Sequence, residues 1–264
     1  MDPLYESILN KIWLPMQQWK ARNPRPTAKE LKEEIYEFYH GENLAAPAAS
    51  TTNAAYDACV GQLAAKVTQM NGVYFPDTSD HVFMSPNQQS SNQEWRVYVN
   101  IQAKDLCEAG NFIIDVLFKR PFVTGFKAAR SVGHADHFTD PLVIYCTDQD
   151  SCGSVKGMLS AKPGIVSVLS NKPVPEMTRR LADGIGMGES PRDFKVSFGA
   201  IRAAAIAKAV VAFWDANGDT RPFFNTIVEH SLVQIGLDPN NAFKNSDGQP
   251  KKIDVDAFLS NPLG

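Results

Sequence analysis

Three short stretches hold the residues whose types and spacing could do chemistry. In EWRVYVNIQ, residues 94–102, Trp95, Val97, Val99 and Ile101 are apolar, and Arg96, Tyr98 and Asn100 alternate with them. Successive side chains of a strand point to opposite faces, so the polar three share a face. They combine a cation, a phenol and an amide, a set able to bind an anion and move a proton. The plainer alternative is a strand face that meets water. In GFKAAR, residues 125–130, Phe126 and Ala128 share the core face and Lys127 takes the other. Arg120, Arg130, His134 and His137 make this part of the chain basic. Cations gathered around a lysine favour its neutral amine, the form that serves as a general base; a surface lysine is the alternative. In SFGAIR, residues 197–202, Ser197 has the type and place of a helix N-cap, and Gly199 leaves the first turn accessible. Free N–H groups at a helix start attract anions, and Arg202, a turn further on, can fork onto phosphate oxygens.

Two other stretches resemble ligand motifs and fail on spacing. Asp215-Ala216-Asn217-Gly218-Asp219 opens like a calcium loop, but residue 226, the twelfth position, is Thr rather than Glu. The glycines of GIGMG, residues 184–188, read as following no strand, which argues against a dinucleotide fingerprint.

The elements that must position these residues follow from periodicity and punctuation. Leu4, Ile8, Ile12, Met16 and Trp19 have helical spacing, and Asn23-Pro24-Arg25-Pro26 ends that helix. Thr27-Ala28-Lys29-Glu30 is a capping box for a second helix that stops at Gly41, and a third runs through about 54–70 after a loop at 45–54. Short strands are expected within 73–84, then a polar loop at 85–93 and the strand 94–102. A helix follows over 103–118, with Leu106, Phe112, Ile113, Val116 and Leu117 as its core face, and strands at 122–129 and 141–147. Helices are expected at 151–161 and 175–183, with a short apolar run at 165–169 between them. The C-terminal third reads as helices from Ser197 to Trp214, over 221–236 and over 253–260. The fold class is therefore α+β: a central, mainly antiparallel sheet flanked by N- and C-terminal helices. Residues 1–70 read as a helical lead-in and 71–264 as the α+β domain, packed together as one compact unit.

Bulk properties narrow the function classes. The 264 residues are 44% hydrophobic and 21% charged, ordinary for a chain that buries its own core. A net charge of −3 gives no global attraction to nucleic acid or an anionic membrane. No apolar run approaches the ~18 residues of a membrane span. The N-terminus lacks the basic and apolar regions of a secretory signal, although a type III secretion signal would leave no such trace. The four cysteines, Cys59, Cys107, Cys146 and Cys152, fit no zinc spacing, and reduced thiols in a bacterial cytoplasm are expected.

WRVYVNI (95–101), GFKAAR (125–130), DPLVIYC (140–146), LADGIGMGESP (181–191) and SFGAIR (197–202) occur in the order seen in the HopA-type effector family, which this chain resembles over roughly 70–240. The chain departs from the family pattern where His137-Phe138-Thr139 stands before Asp140 in place of an arginine, and where Gly188 precedes Glu189. Relatives of this family work beside kinases in making class V lanthipeptides and thioamitides. They are assigned as lyases that remove phosphate from phosphoserine or phosphothreonine and leave a dehydroamino acid. The resemblance implies such a lyase, with a phosphorylated peptide as substrate, a possible partner kinase, and no metal or other cofactor. Lys127 would be the base and Tyr98 the acid, with His137 in reserve. Arg96 and Arg202 would clamp phosphate with help from Ser197, and Asn100 and Tyr145 would contact the substrate. The competing implication is a protein secreted into a host cell that binds a peptide without catalysis.

Overall fold

The computed structural model describes residues 1–40, 53–75, 81–86, 93–193, 196–247 and 252–261. The expected helix stop at Gly41 and most of the expected loops at 45–54 and 85–93 lie outside these residues. In chain order the elements begin with α1 (Pro3–Lys20), α2 (Ala28–His40), α3 (Ala54–Gln69), β1 (Val73–Phe75), β2 (His81–Ser85) and β3 (Trp95–Val99). Next come α4 (Leu106–Asp115), β4 (Val123–Ala129), α5 (Val132–His137), β5 (Leu142–Cys146), α6 (Gln149–Ser160) and α7 (Pro163–Leu169). The last are β6 (Arg179–Ala182), β7 (Ile185–Glu189), α8 (Phe198–Asp215), α9 (Arg221–Gln234) and α10 (Val255–Ser260).

These elements form two compact units. Met1–Glu42, Glu176–Arg179 and Glu189–Gly264 make the first, and Asn43–Pro175 with Arg180–Gly188 the second. The expected division near residue 70 is not where the units part, since α3 belongs with the sheet.

In the first unit, the side chain of Asp2 accepts from Leu4 N at 2.7 Å, and α1 buries Tyr5, Ile8, Leu9, Ile12, Met16 and Trp19. The capping box forms as the sequence requires. Glu30 Oε2 accepts from Thr27 N at 2.7 Å, and Thr27 Oγ1 accepts from Glu30 N at 3.3 Å. Ser197 Oγ accepts from Ala200 N at 3.0 Å and caps α8, which is buried on nearly every side. A helix apolar all round belongs inside a core.

The second unit is built on the sheet, with strand order β1-β2-β4-β5-β3-β7-β6. The pairs β1–β2, β2–β4, β4–β5 and β3–β5 are antiparallel. The fold is α+β as expected, and β3 lies internally between β5 and β7. One face carries Val97 and Val99 of β3, Ile144 of β5, Phe126 of β4 and Met84 of β2, all buried.

Three expectations are corrected, and the apolar run at 165–169 gains an element. The helix expected at 175–183 is instead β6, which turns at Gly184 (φ 64°) into β7. GIGMG therefore does follow a strand, but as the second arm of a hairpin, and the next helix, α8, starts only at Phe198. The apolar run 165–169 lies in α7, started by Pro163 at its first turn. The helix expected over 103–118 is α4 flanked by two short 3-10 turns, and its core face uses Ile114, with Phe112 and Val116 only half-buried.

The cysteines are not all reduced. Cys59 of α3 and Cys107 of α4 form a disulfide with Cα atoms 5.8 Å apart, while Cys146 and Cys152 are free and buried. The two helices also approach closely at Gly110, where a Cβ would lie 2.5 Å from Leu63 Cδ1. Closing the 48-residue separation removes loop entropy from the unfolded chain, by about 4 kcal/mol on the chain-entropy model. Replacing Cys59 and Cys107 together by Ala should therefore lower the unfolding free energy of the second unit by up to that amount. Chemical denaturation followed by near-UV circular dichroism, with and without reductant, measures it; reductant should have no such effect on the double variant.

Candidate functional site

The register of the sheet sets which side chains share the face opposite the core of the second unit. Tyr98 of β3 pairs with Val143 of β5, Val143 with Lys127 of β4, Lys127 with Phe83 of β2, and Phe83 with Phe75 of β1. These five form one straight row across five strands. Arg96 pairs with Tyr145, and Tyr145 with Gly125, making the adjacent row. Strands lie ~4.8 Å apart, so the backbones at Tyr98 and Lys127 are about 10 Å apart, with Val143 between them.

The face does not simply meet water. Arg96 is 6% exposed, Tyr98 2% and Tyr145 6%, whereas Lys127 and Phe83 are half-buried and Phe75 is 56% exposed. The face is thus closed at β3 and open toward the β1 edge. The Arg96 guanidinium carbon lies 5.4 Å from the centroid of the Tyr145 ring. Phe83 meets the same ring edge-on, centroids 5.6 Å apart. Gly125 makes this possible: a Cβ there would stand 2.8 Å from Phe83 Cζ and 2.9 Å from the Met84 carbonyl oxygen.

The other expected residues divide. Asn100 is buried and donates from Nδ2 to the Pro173 carbonyl at 3.0 Å, and its backbone N–H donates to the Gly184 carbonyl at 2.8 Å. It ties β3 to the segment before β6 and to the β6–β7 turn. His137 ends α5 and is exposed. Sequence reasoning passed over His81, which lies on the same face as Phe83, diagonal to Lys127 at ~7–8 Å between backbones. The His81 ring is 5.9 Å from that of His134, which stacks on Phe138 at 4.3 Å. The alternation in HVFMS could have placed it there.

Arg202 and Ser197 belong to the first unit, where both are engaged. Arg202 is fully buried; its Nε donates to the Ala242 carbonyl at 2.6 Å, Nη1 to that of Phe198 at 3.2 Å and Nη2 to that of Lys244 at 3.0 Å. Its guanidinium carbon is 3.6 Å from the centroid of the Phe198 ring. Burial pushes the Tyr5 hydroxyl up to about 12, against the pull of Arg202, and burial also raises the Glu189 carboxyl, against the Asn245 N–H, Arg202, Lys244 and Arg192. Arg202 is the cation of an internal network rather than a group presented to phosphate. Nor is the start of α8 open. Tyr36 and Tyr39 stack 5.7 Å apart, and a Cβ on Gly199 would be 2.7 Å from atoms of either ring. The glycine serves packing of α2 on α8.

Among the described residues, no group of three or more His, Cys, Asp or Glu side chains is placed to hold a metal ion, and no helix is long and apolar enough to cross a membrane.

The model of the HopA1 effector protein family matches residues 61–243, well over half of the chain. The chain belongs to that family. Two solved structures share its fold. The effector protein from Pseudomonas syringae pv. tomato strain DC3000 superposes with a TM-score of 0.63 at 15% identity, covering 91% of this chain and 99% of that one. The effector protein from Pseudomonas syringae pv. syringae strain 61 gives 0.56 at 12% identity, covering 90% and 98%. At such identities the likeness concerns the fold. No curated protein matches the chain. The HopA1 match includes β1 to β5 and α8, so the open face and Arg202 itself lie within it, while Tyr5 and Lys244 of the Arg202 network lie outside.

The Arg202 assignment has a direct test. Arg202→Ala leaves three carbonyl acceptors without their donor and should destabilise the first unit by about 3 kcal/mol or more. Arg202→Lys should recover little, because an ammonium cannot reproduce the planar fork. Urea denaturation of both variants measures it. A stable Arg202→Ala protein that had lost phosphate affinity would return this residue to the ligand.

Proposed function

We propose that the open face of the second unit binds a phosphorylated serine or threonine in a peptide and eliminates its phosphate, leaving a dehydroamino acid. The observation that carries the reading is the shared row of Tyr98 and Lys127 beside the Arg96–Tyr145 pair. Arg96 supplies a cation in a water-poor setting, where its attraction for a phosphate dianion is strongest. Lys127 takes the Cα proton. The Cα–H electron pair becomes the new C=C bond as the Cβ–O bond breaks, and the phosphate leaves with its bonding pair. Tyr98 donates a proton to the departing oxygen, with His81 the alternative donor. His137 fits this role less well, because it is exposed at the end of a short helix. A kinase that prepares the phosphopeptide is the natural partner of such an enzyme.

Membership in a family of effector proteins favours a second reading, in which the same face holds a peptide and does no chemistry. One experiment separates the two. Incubated with a cognate phosphothreonine peptide, the lyase releases inorganic phosphate and leaves a product lighter than the unphosphorylated peptide by one water. A phosphatase would instead return the hydroxyl, and a binding protein would leave the peptide intact. Lys127→Ala should lower the elimination rate by about 10²–10⁴-fold while peptide affinity changes little. A peptide that binds and survives with the wild-type chain decides for the effector reading.

A further inference from the structure

The row through Tyr98 and Lys127 does not stop at the reacting groups. It continues through Phe83 to Phe75 at the free edge of the sheet, the rings of which are 6.4 Å apart. Exposure rises along it, from buried Tyr98 through half-buried Lys127 and Phe83 to Phe75, one of the most exposed large apolar side chains among the described residues. A phenylalanine with more than half its surface in water is unusual for a side chain with only packing to do. Here a tilted contact joins it to Phe83, which meets edge-on the Tyr145 ring on which Arg96 rests.

We propose that Phe83 and Phe75 form a specificity track for the substrate of the proposed site: a phosphopeptide with an apolar or aromatic side chain two to four residues from the phosphorylated one. This rests on the phosphopeptide reading given above. The spacing comes from the sheet. Lys127 and Phe75 are two strands apart, ~10 Å, and an extended chain rises ~3.3 Å per residue, so about three residues span the distance. Charge gives the polarity, because the anion goes to the end where Arg96 lies and the apolar side chain to the end where the rings are exposed. An aromatic group on this track gains contact area and edge-on ring geometry at once.

The test uses the full-length chain and two sets of synthetic phosphothreonine peptides. In one, a single Phe is moved stepwise from one to seven residues from the phosphothreonine on either side; in the other, that Phe is Ala. Binding is followed by fluorescence anisotropy on the Lys127→Ala protein, and elimination by mass spectrometry on the wild type. The inference expects a preference for Phe over Ala on the order of tenfold at an offset of two to four, and expects Phe75→Ser to erase it. Phe83→Leu should reduce it, and because Phe75 is at the surface, its replacement tests the track without opening the core. Phosphopeptides that are bound or processed with no offset preference overturn the track and leave the phosphopeptide reading standing. The same holds if Phe75→Ser weakens Phe and Ala peptides equally. If no phosphopeptide in either set is bound or processed, track and reading fall together.

Discussion

The second unit is organised by the fact that β3 is closed on both faces. Its apolar side chains fill the core as their period demands, and the residues between them, Arg96 and Tyr98, are also withdrawn from water. A cation in such a place is unfavourable unless its surroundings answer its charge. Part of the answer is the electron-rich face of Tyr145, itself held edge-on by Phe83. That arrangement depends on a missing side chain, since Gly125 alone lets Phe83 lie across β4. The packing that shelters the cation also fixes its direction, and a fixed charge in a dry setting is what a developing anion needs.

The first unit treats its cations differently. The helix from Phe198 to Asp215 has no polar face to present, yet carries Arg202 and Lys208, both buried. Arg202 is satisfied by carbonyls. The Lys208 amine lies 4.0 Å from the centroid of Phe258 in the last helix, and burial holds it below the usual lysine value. Both positions concern cohesion of the unit, whereas the charges of the second unit lie on a face that grades into solvent.

Much of this was legible in the sequence. The alternation around Trp95–Ile101 fixed a strand and its two faces, and the Thr27–Glu30 box and Ser197 marked helix starts that the hydrogen bonds reproduce. What was misjudged had physical causes. PEMTRRLA carries helix-forming residues, but Asp183-Gly184 between apolar runs is a hairpin signal, and the pairing of β6 with β7 outweighed local preference. Arg202 was judged by its distance from a helix start, although the alanine-rich run around it announced a helix buried on all sides. The alternation in HVFMS sets the face of His81, but only the register of β2 on β4 brings it beside Lys127. The cysteine pairing could not be had from spacing at all.

The bond between Cys59 and Cys107 has a topological result. β1, β2 and β3 all lie between these two residues, so the edge that carries Phe75, the strand that carries Phe83 and the strand that carries Arg96 sit inside one covalent ring. A protease cut anywhere in that ring opens it without dividing the molecule. The two fragments stay joined through sulfur, and three of the strands of the sheet keep their places on both sides of the nick. Only in a reducing compartment does the same cut leave an N-terminal piece that no covalent bond joins to the rest, so the redox state around the protein decides whether packing alone must hold a nicked molecule together.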